Sequence, residues 1–288
     1  MGNSVCFHKI QSKLERVGAK LKKALFFGWE LFLSRIYSKR KLKILFSTIG
    51  KKTKIETGFR LTQHEIEFGE MTLLKMKQYD LVVPLIMSDL KYLNSARHLI
   101  ANNLIPIPSS NIVDLCVDKP LLNQVLIRKG FGEFIPEMGN IYKYPYILKK
   151  RDDTGGENSH IIYNPQQEQD FADILASPDY FCQEVIPGSY VDTAHILYMD
   201  HRIVRLINVR HIFSTDLPIQ GKDEELYSRI CRCPYSDLFT SILASISFDG
   251  LCCIDYKVHH DRLYILEINP RICGSLLPYF FCYLRYLC

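Results

Sequence analysis

Apolar and polar residues alternate twice in quick succession between Leu251 and Gly274, in the stretch LCCIDYKVHHDRLYILEINPRICG. The runs Cys252–Val258 and Leu263–Ile268 flank a polar break at His259-His260-Asp261. Alternation on both sides of a short polar break predicts a β-hairpin, here with a three-residue turn. That turn sets Asp255 opposite Ile265 and Cys253 opposite Glu267. Side chains alternate faces, so Asp255, Glu267 and Asn269 fall together on one face. Ile254, Tyr256, Val258, Tyr264, Leu266 and Ile268 fall on the other, which reads as a core face. The first face gathers two carboxylates and an amide within diagonal reach. Close carboxylates repel and raise one pKa unless a positive charge sits among them. A divalent cation with hard oxygen ligands, magnesium above all, relieves that repulsion. The spacing alone suits an exposed hairpin with scattered acids equally well. Asn269-Pro270-Arg271 then stops the strand and adds a cation just past the acidic face. Only an odd-numbered turn keeps Asp255 and Glu267 on one face; two or four residues would separate them.

The rest of the chain reads as strands alternating with helices. Apolar runs at 42–49 and 80–86 predict buried strands. Residues 53–78 read as mixed helix and loop, Tyr92–Asn103 as a helix, and Leu104–Pro108 as a short strand. This pattern predicts a small parallel α/β unit, without the glycine fingerprint of a dinucleotide site. Asp118 caps a helix with Pro120 in its first turn. A strand from Tyr144 ends at Lys149-Lys150, passes through the small-residue loop Thr154–Ser159, and resumes at His160. Such a loop can fold over an anion, with backbone N–H groups and a lysine to hold phosphate; a plain hairpin turn fits the same residues. Phe171–Ala176 reads as a helix and Tyr180–Ile186 as a strand. Asp192–Tyr198 and Arg202–Ile212 read as a hairpin around Met199-Asp200-His201. Pro234–Ser247 reads as a helix, and an apolar tail, Leu276–Cys288, suits a subunit interface in a homo-oligomer.

Composition narrows the classes. The 288 residues are 47% hydrophobic and 23% charged, as in an ordinary globular protein. The net charge of +5 is uneven: residues 1–43 hold eleven Lys/Arg against two acids, and the remainder 25 against 29. A nucleic-acid-binding body is therefore not supported. In the basic segment, Ile10, Leu14, Val17, Leu21, Leu25 and Phe32 recur at helical spacing. Lys20, Lys22 and Lys23 precede the apolar run Ala24–Leu33, and Arg35, Lys39, Arg40 and Lys41 follow it. The run is too short to span a membrane. It predicts a helix that contacts an anionic membrane surface, or packs on its own domain or on a partner. The ten cysteines form no C-x-x-C pair and read as reduced thiols of a cytoplasmic protein.

In their order and spacing, Asp118-Lys119, Pro145–Lys149, Thr154-Gly155-Gly156, Gln183–Gly188, Asp255, Glu267–Arg271 and Gly274-Ser275 resemble the ATP-grasp superfamily of ATP-dependent ligases, which includes carbamoyl-phosphate-synthase-like domains. The resemblance implies an α/β fold of the α+β ATP-grasp kind. After the basic amphipathic helical extension over 1–41, it implies a parallel α/β unit over 42–117 and an ATP-grasp domain over 118–288. Within that domain, 118–186 would be the lid and 187–288 the metal-binding half. It implies ATP and Mg2+ (or Mn2+) as cofactors. Lys119, Lys149, Thr154, Gly155 and Gly156 would sit on the nucleotide phosphates, and Gln183, Glu184, Val185 and Ile186 on the adenine. Asp255, Glu267 and Asn269 would hold the metal. Arg271, with Arg210, would face the transferred phosphoryl group. The family's ribose-binding Glu is absent after Pro187-Gly188, so that contact is either missing or supplied by Asp192. The implied reaction joins a small-molecule carboxylate to an amine or another nucleophile, such as ammonia or a thiol, through an acyl phosphate. A kinase that stops at phosphorylation and a non-catalytic nucleotide-binding module remain as alternatives.

Overall fold

The computed structural model describes residues 2–38, 40–48, 52–100, 103–139, 143–153 and 155–287, with side chains from Lys13 onward. A long helix, α1 (Gly2–Tyr37), opens the chain. It leads to β1 (Lys43–Ser47), α2 (Lys52–Phe59), β2 (Glu65–Gly69), α3 (Leu73–Met76), β3 (Leu81–Val83) and α4 (Met87–Ser95). Strand β1 lies between β2 and β3 and is parallel to both. Its unbroken apolar run follows from burial on both faces. Strand β2 has the alternating, partly exposed pattern of a sheet edge and lies within the segment expected to be helix and loop. Leu104 contributes a single bridge to Val82 in place of the expected strand.

Next come α5 (Ser110–Val117) and α6 (Lys119–Leu126), the latter capped by Asp118, whose Oδ1 accepts from the Leu121 amide at 3.1 Å. Strand β4 (Tyr146–Lys150) pairs with β5 (His160–Ile162) and β6 (Tyr180–Glu184) in a small antiparallel sheet, with α7 (Pro165–Asp170) and α8 (Ala172–Leu175) between β5 and β6. A five-stranded antiparallel sheet follows, built from β7 (Tyr190–Met199), β8 (Arg202–Phe213), β9 (Glu225–Cys231), β10 (Gly250–His259) and β11 (Arg262–Asn269). Its order is β11-β10-β7-β8-β9, and α9 (Ser236–Ser245) links β9 to β10.

The large sheet separates two apolar cores. Ala194, Ile196, Ile254 and Ile268 on one face pack with Phe239, Ile242 and Leu243 of α9. On the other face, Leu197, Ile207, Val209 and Leu251 join the core of the parallel sheet. The apolar tail completes that second core. A 3-10 helix (Leu277–Tyr283) and α10 (Leu284–Leu287) bury Phe280 against Phe46 and Phe281 against Phe27. The tail expected at a subunit interface is thus covered by its own chain.

The β10–β11 turn corrects the expected register. It has two residues, His260 and Asp261, both left-handed (φ 49° and 60°), so His259 pairs with Arg262. Alone, that turn would place Asp255 and Glu267 on opposite faces. A β-bulge intervenes: Tyr256 pairs with Ile265, but Asp255 pairs with Glu267, leaving Leu266 as the extra residue. One inserted residue restores the facing of everything beyond it. Leu263, Ile265 and Ile268 consequently fill the core, and Leu266 leaves it. The structure also departs from the expectation of reduced thiols. Cys253 and Cys273 form a disulfide with Cα atoms 6.4 Å apart, while Cys116, Cys182, Cys231, Cys233, Cys252 and Cys282 are free.

Candidate functional site

Asp255 and Glu267 face each other across the bulge, in a cleft between the small and the large antiparallel sheets. Thr193 Oγ1, from the neighbouring position on β7, donates to Asp255 Oδ1 at 2.5 Å. The Asn269 amide nitrogen donates to Glu267 Oε1 at 2.7 Å and reaches Asp255 Oδ2 at 3.5 Å. Burial pushes the Asp255 carboxyl well above the carboxylate range, and the charge of Glu267 adds to it. Burial also works to raise Glu267, but Lys119, Lys149 and the Asn269 hydrogen bond outweigh it and hold Glu267 below its usual value. Two adjacent carboxyls with opposed shifts favour one shared proton, or a cation in its place. Among the described residues no group of three His, Cys, Asp or Glu side chains gathers as a metal cluster. The two facing carboxylates suit magnesium, which takes its remaining ligands from water and phosphates, while the Asn269 amide presents its nitrogen to them.

Lysines ring the pair. Lys119 Nζ, at the start of α6, donates to the Asp153 carbonyl at 2.6 Å and lies 3.9 Å from Glu267 Oε2. Lys149 Nζ, on β4, donates to Gln183 Oε1 at 2.9 Å and to the Leu266 carbonyl at 3.4 Å. That carbonyl belongs to the bulge residue, so the irregularity that aligns the carboxylates also anchors the lysine. Burial, aided by Lys119, lowers the Lys149 pKa to about 8 despite Glu267 and Asp255. Lys257, two residues after Asp255 on the same face, donates to the carbonyls of Ile186 (2.7 Å) and Gly188 (2.9 Å). Its pKa is also lowered to about 8, by burial first. Sequence reasoning did not single out Lys257, although period-two alternation from Asp255 leads directly to it.

The cleft holds an empty volume of about 700 Å³ and is walled by Ile147, Leu266 and the Gln183–Ile186 segment. Gly156 lines it and Gly155 lines the adjoining cavity; Thr154 lies outside the described residues. Asp153 shapes this loop by accepting from the Asn158 amide at 2.9 Å. The loop rests on residues 218–223. Lys222 donates to the Ser159 carbonyl, and a Cβ on Gly221 would sit 2.1 Å from the Gly155 carbonyl oxygen. This contact, and Gln220 on the cleft wall, join segments far apart in sequence, and no local signal points to them.

A second, wider cavity meets the first at Gln220, Asp255 and Glu267. Arg271 lines it, with Lys23 of α1, Lys54 of α2 and His211 of β8. Burial lowers the Arg271 pKa although Glu267 and Asp255 oppose this. No described carboxylate lies within salt-bridge distance of its guanidinium. Behind it, His195 Nε2 and Ser275 Oγ lie 2.9 Å apart, and burial lowers the His195 pKa to about 3.

Two expected residues are not brought to either cavity. Asp192 and Arg210 are register partners on β7 and β8 and form a bidentate pair, with Nε–Oδ1 at 3.0 Å and Nη2–Oδ2 at 2.7 Å. Alternation explains this: Val191 and Thr193 face the cleft and the carboxylates, so Asp192 between them faces the α9 side. Asn208 also donates to Asp192, and Tyr190 stacks on the Arg210 guanidinium.

A family model for the ATP-grasp domain matches residues 116–275, more than half of the chain. The fold is similar to that of D-alanine–D-alanine ligase from Bacillus anthracis complexed with ATP, at 13% identity over 81% of this chain and 87% of that one, with a TM-score of 0.54. It is similar to phosphoribosylamine–glycine ligase from Thermotoga maritima, at 14% identity over 82% and 70%, with a TM-score of 0.62. It is also similar to L-amino acid ligase from Bacillus licheniformis, at 14% identity over 85% and 71%, with a TM-score of 0.59. At these identities the likeness shows a shared fold. No curated protein matches the sequence.

Proposed function

Because the chain belongs to the ATP-grasp domain family, we propose that it is an ATP- and magnesium-dependent ligase that activates a carboxylate as an acyl phosphate for attack by an amine. The observation that carries this reading is the meeting of two cavities at Asp255 and Glu267, with Lys149 on one side and Arg271 on the other. Residues 118–186 act as the lid over the nucleotide and 187–288 as the half that holds the metal. Adenine lies between Ile147 and Leu266, against the backbone of Glu184–Ile186. Lys149 and Lys119 bind phosphate oxygens, and the loop carrying Thr154, Gly155 and Gly156 closes over them. Asp255 and Glu267, with the Asn269 side chain turned to offer its oxygen, would hold magnesium, or manganese in its place, which would neutralise charge on the phosphates. Arg271 orients the acceptor carboxylate, and its guanidinium, free of a carboxylate partner, stabilises charge on the group in transfer. The protein's contribution is positioning and electrostatics, as in other phosphoryl transfers. Asp192 and Arg210 have no part in it, since each neutralises the other.

Calorimetric titration of ATP with magnesium into wild type and Glu267→Ala tests the nucleotide site. Wild type binds and the variant does not; absence of binding by wild type overturns the proposal. ADP release with a panel of amino acids and carboxylic acids then tests the chemistry. Release that needs an acid and an amine together supports ligation. Release with one acceptor alone points to a kinase, and binding without release to a regulatory module.

A further inference from the structure

Helix α1 presents an apolar stripe to solvent. Leu14, Val17, Leu21, Leu25, Phe32 and Ile36 are each more than half exposed, from 54% for Phe32 to 67% for Leu14. Trp29 joins them at 59%. At 100° per residue these side chains occupy an arc of about 120°, along a length of about 33 Å. The opposite face is fixed to the protein. Phe27 packs on Phe281, Leu31 joins the core, and Lys23 turns inward to donate to Ser228 at 2.8 Å. The amphipathic pattern is therefore inverted relative to a helix that only covers its own core: the large aliphatic residues point away.

Charge identifies what covers the stripe. Both acids of the helix are engaged by the body, Glu30 in its interior and Glu15 at the exposed rim. Glu30 is buried between Arg205 (2.5 Å) and Arg285 (3.3 Å), and Glu15 accepts from Tyr227 at 3.0 Å. The exposed flanks carry Lys22 on one side and Lys13, Lys20 and Arg35 on the other. Two basic margins along an apolar stripe, with Trp29 among the apolar residues, match an anionic lipid surface. They disfavour a second copy of the helix, which would bring like charges together. The spacing agrees. Leu14, Leu25 and Ile36 recur every eleven residues, as do Leu21 and Phe32. This period keeps the stripe nearly straight along an ordinary helix, whereas a left-handed coiled-coil seam needs seven. No described helix is long and apolar enough to cross a membrane, so the contact lies in the plane of the surface.

We propose that α1 docks the protein on anionic membranes, its Leu14–Ile36 stripe in the interface and its basic margins on the lipid headgroups. Lys23 then lies on the inner face of the same helix, lining the wider cavity beside Arg271.

The experiment is co-sedimentation of the full chain with vesicles of phosphatidylcholine alone and of phosphatidylcholine mixed with phosphatidylserine. Binding to the mixed vesicles only, weakened by salt, is the expected result. The double variant Leu21→Glu/Leu25→Glu should lose at least about tenfold in binding while its melting temperature stays unchanged, because both side chains are exposed. Should that variant not fold, Phe32→Ser/Ile36→Ser makes the same test. Equal binding to both vesicles, binding to neither, or undiminished binding by a folded variant overturns the proposal. So does a dimer in light scattering that the variant abolishes without any vesicle binding, which would assign the stripe to a second copy.

Discussion

The hairpins β7–β8 and β10–β11 are built alike and used differently. Each has a two-residue turn of left-handed residues, Asp200-His201 and His260-Asp261, and each has one register shift along its strands. Each sets a buried acid directly opposite a charged partner. In β7–β8 the partner is Arg210, and Asp192 is neutralised by three hydrogen bonds from the guanidinium and one from Asn208. In β10–β11 the partner is Glu267, and Asp255 has only the neutral Thr193 hydroxyl and a shared amide beside a like charge. The first arrangement is complete as it stands. The second is electrostatically incomplete, and it opens on both cavities. Burial of a charge does not itself mark a site; burial without a neutralising partner does.

Three experiments would break or sharpen this contrast. The largest effect is expected from Asp255→Arg. It gives Glu267 the kind of charged partner that Asp192 has in Arg210, and so removes the like-charge pair that calls for a cation. Magnesium-dependent ATP binding should then be lost in calorimetry, while circular dichroism still reports a folded sheet. Retained binding would show that the facing carboxylates are not required. Next is Asp192→Ala, which strips the partly buried Arg210 guanidinium of its partner. It should destabilise the chain by about 1.5–3 kcal/mol in urea unfolding. ATP affinity, measured below the new melting temperature, should stay near that of wild type.

The smallest effect is the pH dependence of the metal-free protein. Asp255 titrates well above its unfolded value of about 3.9, so the folded chain keeps a proton that the unfolded chain has lost. Its contribution to stability is therefore greatest at low pH and declines as pH rises towards the folded pKa. His195, neutral in the folded state down to about pH 3, acts with the opposite sign up to about pH 6.5. Comparing Asp255→Asn with wild type isolates the carboxyl. The variant should lose the decline with pH and become the more stable protein at pH 8 by thermal melting. No change in slope would mean that Asp255 is not protonated in the fold.

Much of this contrast was legible in the residues. Alternation found the strands of both hairpins, and the order of Lys119, Lys149, Asp255, Glu267, Asn269 and Arg271 pointed to the family. What escaped had no local signature. His260-Asp261 lacks the Asn-Gly or Gly that marks a two-residue turn, and Leu266 is an ordinary strand residue at the bulge. The edge strands β2 and β9 are short and partly exposed, so charges interrupt their patterns. The facing of Asp192 depends on the pairing of β7 with β10, across nearly sixty residues of intervening chain. The loop at 218–223 meets Gly155 and Gly156 only in three dimensions. The apolar run of α1 was visible, but its outward direction was not, because periodicity defines a face without saying what it touches.

The buried tail bears on the order of events in folding. Phe280 and Phe281 fill the space beside Phe46 and Phe59, which precede them by more than two hundred residues. The core around β1 therefore cannot close during synthesis until residues 277–284 have left the ribosome. Such long-range closure slows folding and leaves early apolar strands uncovered in the meantime. The nascent chain thus carries β1 and β3 as exposed hydrophobic segments until that tail emerges, a period in which chaperones would find them.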